Sequence, residues 1–123
     1  MTEVKKSKQY DLEERTFSFA KAVIDFVNCL PKTAANIEII RQVIRSSGSV
    51  GANYIEANEA LGKRDFAMRI KICRKEAKET VYWLRLIEVK GENAEKRDSL
   101  ISEATELMKI FGSILGKTLN PKH

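Results

Sequence analysis

Apolar residues recur at alternating spacings of three and four through most of this chain. An α-helix has about 3.6 residues per turn, so this spacing places the side chains along one helix face. A strand would instead alternate apolar and polar residues, and no segment of strand length does so. The sequence therefore predicts an all-α fold. The three clearest series are Ile40, Val43, Ser47, Val50, Tyr54, Ala57 and Leu61; Phe66, Ile70, Cys73, Ala77, Thr80, Leu84 and Ile87; and Leu100, Ala104, Leu107, Phe111, Ile114 and Thr118.

Capping residues and helix-ending residues predict four helices. Asp11 and Glu14, three positions apart, form a capping box that opens the first helix. The predicted bounds are about Asp11 to Cys29, Thr33 or Asn36 to about Leu61, Asp65 to just before Gly91, and Asn93 to about Gly116. Short connections between long helices favour antiparallel neighbours, so we expect an up-down-up-down four-helix bundle over residues 10–117. A flexible basic arm, residues 1–9, and a C-terminal tail, residues 118–123, flank it.

The chain has 123 residues, which suits one domain that buries roughly two-thirds of its unfolded surface. Its two cysteines, Cys29 and Cys73, lack a CxxC spacing and lie on apolar helical faces, so we expect buried, reduced thiols. The N-terminus lacks the apolar stretch of a secretory signal, and the longest uncharged run, residues 46–55, is too short to span a bilayer. We therefore expect a cytoplasmic protein that makes no membrane contact.

The net charge is confined to residues 63–90, which hold nine Lys or Arg and four Asp or Glu and so account for the formal charge of +5. At 100° per residue, six of these cations fall on one face of the third helix, opposite its core series and beside Tyr82. They form the basic stripe: Arg64, Lys71, Arg74, Lys75, Lys78 and Arg85. A solvated face is one interpretation. Because no acidic residue interrupts the stripe, we give contact with a nucleic acid equal weight.

The third helix carries a second apolar face beside its predicted core face, and the first helix is similarly broad. A helix of a single bundle needs a narrower apolar stripe, so we expect burial between subunits of a homo-oligomer. A wide core face within one subunit is the alternative. If Glu76 and Glu79 on this second apolar face lie in the interface, we expect each to pair with a cation, and Arg45 and Arg41 of the second helix are the predicted partners. The predicted interface residues are Ile72, Glu76, Glu79, Trp83 and Leu86.

Few residues are suited to catalysis. The only histidine is His123, the last residue, which removes the usual general base and the Ser-His and Cys-His pairs. Two Glu-x-x-Glu pairs remain, Glu56 with Glu59 and Glu76 with Glu79, and carboxylates suit a hard cation such as Mg²⁺. On helices, such carboxylates more often pair with Arg or Lys or face water. We therefore expect no enzymatic activity, no cofactor and no metal site.

Small residues interrupt the middle of the second helix. Residues 46–49 are Ser-Ser-Gly-Ser, and Gly51 follows, which lowers the helix propensity of this stretch. We interpret them as a tight helix crossing, since small side chains let a neighbouring backbone come close. A hinge or a phosphate loop is the alternative, although no strand precedes these glycines and no Gly-Lys-Ser/Thr follows them.

Two segments also resemble a known family. Residues 44–57 read Ile-Arg-Ser-Ser-Gly-Ser-Val-Gly-Ala-Asn-Tyr-Ile-Glu-Ala, and residues 75–84 read Lys-Glu-Ala-Lys-Glu-Thr-Val-Tyr-Trp-Leu. They resemble the bacterial four-helix bundle proteins called 23S rRNA intervening-sequence proteins, and the likeness extends from about Tyr10 to Gly116. The Arg-Ser…Ser-x-Gly-Ala-Asn…Glu pattern is unusual for a generic bundle. The chain departs from the family pattern at Tyr54, where Ile is expected, and at Ala57, where Gly is expected.

The resemblance implies a homopentamer without enzymatic activity. It also implies a fold similar to the accessory proteins of diversity-generating retroelements, which bind nucleic acid and a reverse transcriptase. Our first hypothesis is a non-enzymatic oligomer that binds the RNA or DNA backbone through the basic stripe. The second is a protein-interaction scaffold whose basic face docks an acidic partner protein, and a carboxylate metal enzyme is the third. Salt-dependent binding to nucleic acid separates the first two.

Overall fold

Four α-helices make up nearly all of the structure, a computed structural model that describes the backbone of residues 8–121 and the side chains of residues 12–121. The helices are α1, Lys8–Val27; α2, Ala34–Asn58; α3, Lys63–Leu86; and α4, Gly91–Leu119. No strand occurs within residues 8–121, so the prediction of an all-α chain with four helices is confirmed.

Helix starts follow the sequence signals at α2 but not at α1. Thr33 caps α2, since its side-chain oxygen accepts a hydrogen bond from the backbone N–H of Asn36 at 3.1 Å, as predicted. The capping box at Asp11 and Glu14 is wrong. Helix α1 already begins at Lys8, so both residues lie inside it. Lysine and glutamine are good helix formers, which explains why residues 8 and 9 continue the helix.

The helix ends differ from the predicted bounds by a few residues. Helix α2 ends at Asn58, so Leu61 lies in the connection and is completely exposed, not part of the core series. Helix α4 extends to Leu119, so residues 118 and 119 of the predicted tail are helical, as are residues 8 and 9 of the predicted arm. Residues 1–7 of that arm and residues 122–123 of that tail lie outside the described residues.

The α3–α4 connection depends on a glycine. Residues 87–90 are not helical, and Gly91, the first residue of α4, has a φ of 58°. This left-handed conformation is accessible to glycine at little cost. Arg97 of α4 donates a hydrogen bond from Nη1 to the carbonyl oxygen of Ile87 at 2.7 Å, which ties the connection to the helix that follows it.

Each helix packs against its neighbours in sequence, and α4 also contacts α1. The predicted apolar series supply the core, where Val43, Ile70, Leu107 and Phe111 are completely buried. The rings of Tyr54 and Phe111 meet at a centroid distance of 5.6 Å. Near the end of α4, the inward position belongs to Leu115, whereas Ile114 of the predicted series is half-buried.

The small residues of α2 make two close contacts. A Cβ atom at Gly51 would lie 2.9 Å from Oγ1 of Thr16 in α1, closer than van der Waals contact. Gly51 therefore confirms the predicted tight crossing, whereas Gly48 faces open space. On the α3 side, the buried hydroxyl groups of Ser46 and Thr80 hydrogen-bond to each other at 2.8 Å.

The two cysteines differ. Cys73 is buried as predicted, and burial raises the pKa of its thiol to about 12. The prediction that Cys29 is buried is wrong: α1 ends at Val27, and in the turn that follows Leu30 is buried in the core while Cys29 is exposed. None of the helices in the described part of the chain is long and apolar enough to cross a membrane.

Candidate nucleic-acid interface

All six side chains of the basic stripe are exposed on α3. The opposite face of α3 supplies Ile70, Cys73 and Ala77 to the core, so the helical period itself directs the cations outward. None of the six lies within ion-pair distance of a carboxylate among residues 12–121. Their positive charge is therefore available to a ligand.

Four members of the stripe line a groove between α3 and α4, with a volume of about 580 Å³. The groove was not expected from the sequence, which placed the stripe on a single helix face. Arg64 and Arg85 do not line it. Its lining residues are Lys71, Arg74, Lys75 and Lys78 from α3 and Met108, Lys109 and Gly112 from α4. We call this site the basic groove.

Gly112 gives the basic groove part of its shape. Cδ of Arg74 lies 3.6 Å from the position that a Cβ atom at residue 112 would occupy. The aliphatic part of Arg74 therefore lies beside the backbone of α4, where a larger side chain at residue 112 would project. Arg74 is exposed, so its charged guanidinium group is available at the groove while its aliphatic stem covers apolar surface.

Tyr82 lies outside the basic groove. Its side chain is exposed, and its ring meets that of Trp83 edge to face, with centroids 5.0 Å apart and an angle of 76°. The aromatic residue among the cations is therefore positioned against the neighbouring face of α3, not among the groove-lining residues.

An ion-pair cluster lies between α2 and α3. Arg45 of α2 pairs with Glu79 through Nη2 and Oε2 at 2.5 Å and approaches Oε1 of Glu76 with Nη1 at 3.5 Å. Trp83 donates a hydrogen bond from Nε1 to Oε2 of Glu79 at 3.0 Å. That hydrogen bond, together with Arg45, lowers the pKa of Glu79. Arg45 is the partner named from the sequence, but the pair forms within one chain and not between subunits, whereas Arg41 pairs with no carboxylate among the described side chains.

Glu76 is covered by its own chain. The residue is only 8% exposed, and its Oε1 has no hydrogen-bond partner among the described groups. Arg45 is the cation that offsets this buried charge within one subunit, at a distance too long for a hydrogen bond. A second subunit is therefore not needed to supply a cation to Glu76.

Polar residues of α2 hold this helix against α3. Asn53 donates from Nδ2 to the carbonyl oxygen of Ser49 at 2.9 Å, and its Oδ1 accepts a hydrogen bond from Nη1 of Arg69 at 2.9 Å. Together with Arg45, Ser46 and Gly51, Asn53 belongs to the unusual sequence pattern of α2. Each of these residues has a packing contact with a neighbouring helix, so the pattern specifies helix packing.

The sequence profile described as 23S rRNA-intervening sequence protein matches residues 8–113, the region that contains this pattern and the basic groove's α3 wall. The chain belongs to the 23S rRNA-intervening sequence protein family. It is also similar to a crystal structure described as a protein with unknown function from the S23 ribosomal protein family of Bacteroides thetaiotaomicron VPI-5482. The two share 30% sequence identity and a TM-score of 0.79 over 89% of this chain and 99% of the other. No curated protein matches the chain.

This member of the 23S rRNA-intervening sequence protein family also exposes large apolar side chains. Of the predicted interface residues on α3, Leu86 is 45% exposed, while Ile72 and Trp83 are half-buried. Met68 on the same face and Phe17 on α1 are more than half exposed. Apolar surface thus remains outside the core on α1 and α3, and also on α2, where Ile37, Ile44 and Ile55 are exposed.

The structure adds one residue to the site, Lys109, and places the two glutamates that the sequence offered as metal ligands on the surface. Lys109 was missed because the charges of residues 91–123 balance, and only the packing of α4 beside α3 brings it to the groove. Glu56 and Glu59, weighed as metal ligands, are exposed. Among residues 12–121, no group of three or more His, Cys, Asp or Glu side chains is arranged to hold a metal ion.

Proposed function

We propose that this member of the 23S rRNA-intervening sequence protein family is a non-enzymatic, oligomeric protein that binds RNA or DNA through its basic stripe. One observation carries the proposal: six exposed cations share one face of α3, without a described carboxylate at ion-pair distance, in the segment that holds the entire net charge. Such a surface attracts phosphates, and the release of their counterions favours binding.

The chemistry of the stripe favours contact with the nucleic-acid backbone. Lysine and arginine on an exposed helix face neutralise phosphates, whereas sequence reading requires side chains that reach base edges. We therefore expect similar affinity for different sequences. If Tyr82 stacks on a base, single strands are preferred modestly over duplexes.

We further propose an up-down-up-down bundle that assembles into a closed homopentamer. The contacts Ser46–Thr80 and Asn53–Arg69 support opposite directions for α2 and α3, because the later residue of one helix meets the earlier residue of the other. Exposed apolar surface on α1 and α3 supports assembly, and the number five rests on the family resemblance alone. A ring would repeat the stripe and raise the avidity for a long strand.

Charge reversal of the stripe tests the proposal. The triple substitution Lys71→Glu, Arg74→Glu and Lys78→Glu should abolish binding to labelled 20-nucleotide RNA and DNA. It should also flatten the dependence of affinity on salt, because each neutralised phosphate contributes roughly 0.7 to 0.9 to the slope of log affinity against log salt concentration. Circular dichroism should show an unchanged helical signal, since all three side chains are exposed.

A matched control separates local contacts from total charge. The exposed residues Lys21, Lys32 and Lys117 lie outside the stripe, and changing them to Glu alters the net charge by the same amount. This control should retain most of the wild-type affinity. Equal binding by the stripe variant and the wild type would refute the proposal. Absence of binding by the wild type at physiological salt would favour a scaffold that docks an acidic protein.

A further inference from the structure

We propose that the basic groove between α3 and α4 is the site that holds the strand, and that its ligand is the phosphodiester backbone of a single-stranded nucleic acid. Lys109 of α4 is a contact residue of this site. The charge pattern of the sequence does not predict that role for Lys109. The inference rests on the proposed function and makes it specific, because it names the strand type and separates groove residues from the other members of the stripe.

The cations of the basic groove come from both of the helices that form its walls, α3 and α4. Lys71, Arg74, Lys75 and Lys78 come from α3, and Lys109 faces them from α4. Lys109 is exposed and pairs with no carboxylate among residues 12–121. A cleft lined by charges of one sign concentrates the electrostatic potential more than a convex surface does. An anionic chain between the walls therefore meets cations from both helices.

The floor of the groove is small and largely uncharged. Met108 and Gly112 supply it from α4, and the stem of Arg74 lies 3.6 Å from the position of a Cβ atom at residue 112. Because residue 112 has no side chain, the stem of Arg74 lies close to the backbone of α4 and forms part of this floor. A sugar-phosphate chain suits such a site, since its phosphates meet the cations of the walls while its sugars lie over the apolar floor.

The dimensions of the groove favour one strand. Packed helices lie roughly 8–10 Å apart between axes, and a whole duplex is wider than its major groove alone, which is about 12 Å wide. A duplex would therefore rest on the outer edge of the groove without reaching its floor. Along α3, the seven residue-to-residue steps from Lys71 to Lys78 span about 10 Å at 1.5 Å per residue. A stacked strand carries one phosphate per about 3.4 Å, so about three phosphates fit this length.

Arg64 and Arg85 lie beyond the two ends of this span. Each is seven residues from the nearest end of the groove segment, which is about 10 Å along α3. They do not line the groove. We therefore expect them to contribute to the binding of long strands and to contribute little to the binding of a strand of six nucleotides.

The test adds a side chain to the groove, against the stem of Arg74, without changing the net charge. Gly112→Leu places a side chain in the groove, and the matched control Gly116→Leu changes an exposed glycine of the same helix that has no heavy atom within 4 Å of its Cβ position. Fluorescence anisotropy with labelled hexamers of single-stranded RNA and DNA measures the affinity. We expect binding about tenfold weaker for Gly112→Leu and within about twofold of the wild type for Gly116→Leu.

A second pair of variants tests Lys109 itself. Lys109→Glu should weaken hexamer binding about tenfold and reduce the salt slope by about 0.7, one phosphate contact, from a wild-type slope of about 2. Lys117→Glu makes the same charge change on α4 outside the groove and should have less than about a twofold effect. A labelled hairpin duplex should bind more weakly than the single-stranded hexamers. Thermal unfolding, followed by circular dichroism, confirms that each variant is folded.

The outcomes separate the inference from the proposed function. If Gly112→Leu and Lys109→Glu bind the hexamers as well as the wild type while the triple variant of α3 loses binding, the open face of α3 is the site and the groove inference is overturned. Equal or stronger binding of the duplex overturns the assignment of a single strand. If the wild type binds neither the hexamers nor the 20-nucleotide strands, the proposed function itself fails.

Discussion

The contact between Gly51 and Thr16 predicts opposite effects for the same substitution at two glycines of α2. A Cβ atom at Gly51 would lie 2.9 Å from Oγ1 and 3.2 Å from Cβ of Thr16. Thr16 is buried, and its Oγ1 donates a hydrogen bond to the carbonyl oxygen of Leu12 at 2.8 Å, so its side chain is held in place. A Cβ atom at Gly48 would meet nothing within 4 Å.

The magnitude follows from two opposing effects. Replacing glycine by alanine inside a helix stabilises it by about 1 kcal/mol, and this gain is expected at Gly48. At Gly51, overpacking costs about 1–3 kcal/mol. We place this site at the upper end, because Cβ of Thr16 belongs to α1 and moves only if the two helices separate. Gly51→Ala should therefore lower the free energy of unfolding by about 1–2 kcal/mol, and Gly48→Ala should raise it by about 0.5–1 kcal/mol.

The assay is urea unfolding followed by circular dichroism, with both variants and the wild type at one protein concentration. An oligomer gains stability with concentration, so this condition must be matched. Adding Thr16→Ala to Gly51→Ala removes the atom at 2.9 Å, and the double-mutant cycle should recover about 1 kcal/mol. If Gly51→Ala stabilised the protein as much as Gly48→Ala does, α1 and α2 would not be in close contact there and the reasoning would be wrong.

Three further predictions concern other contacts. Trp83→Ala should weaken self-association by about 2 kcal/mol if this residue anchors an interface, and sedimentation of the wild type as a monomer at micromolar concentration would contradict it. Cys29, which is exposed, should react with a thiol reagent in the native protein, whereas Cys73 should react only on unfolding, because it is buried and its pKa is raised to about 12. The lowered pKa of Glu79 means that its contribution to stability is complete above the unfolded pKa of about 4.3 and is lost as the pH falls through the lower folded value. Glu79→Gln should therefore be less stable than the wild type at pH 7, and the difference should vanish at low pH; a difference that persists there would show that the ion pair with Arg45 is not its source.

Helix periodicity was sufficient to predict most of the fold. Val43, Ile70 and Phe111, one from each of the three series, are buried as expected, because a spacing of three and four leaves only one face for the core. Periodicity does not say where a helix ends, however. Leu61 continues the series in the sequence but lies beyond the end of α2, and Cys29 lies beyond the end of α1.

The candidate site was predicted only in part, because half of it depends on tertiary packing. The cations of α3 share a face within one helix, so their exposure followed from the sequence. The position of Lys109 depends on how α4 is rotated against α3, and no local pattern records that rotation. The pairing of Arg45 with Glu79 was predictable because both residues lie beside the apolar series of adjacent helices, whereas the burial of Glu76 depends on the exact packing around it.

The backbone conformation at Gly91 influences the direction in which α4 leaves α3. A small change of direction there displaces residues further along α4 by an amount that grows with their distance from Gly91. Lys109 lies 18 residues after Gly91, which is five full turns, so the two residues face the same side of α4 about 27 Å apart. A tilt of about 10° at residue 91 would displace Lys109 by about 5 Å over that length. An L-residue with the φ of 58° would be strained by roughly 1–2 kcal/mol. A single uncharged residue at the start of α4 thus influences how far apart the two walls of the groove lie, and a substitution there would move Lys109 while leaving every cation of α3 in place.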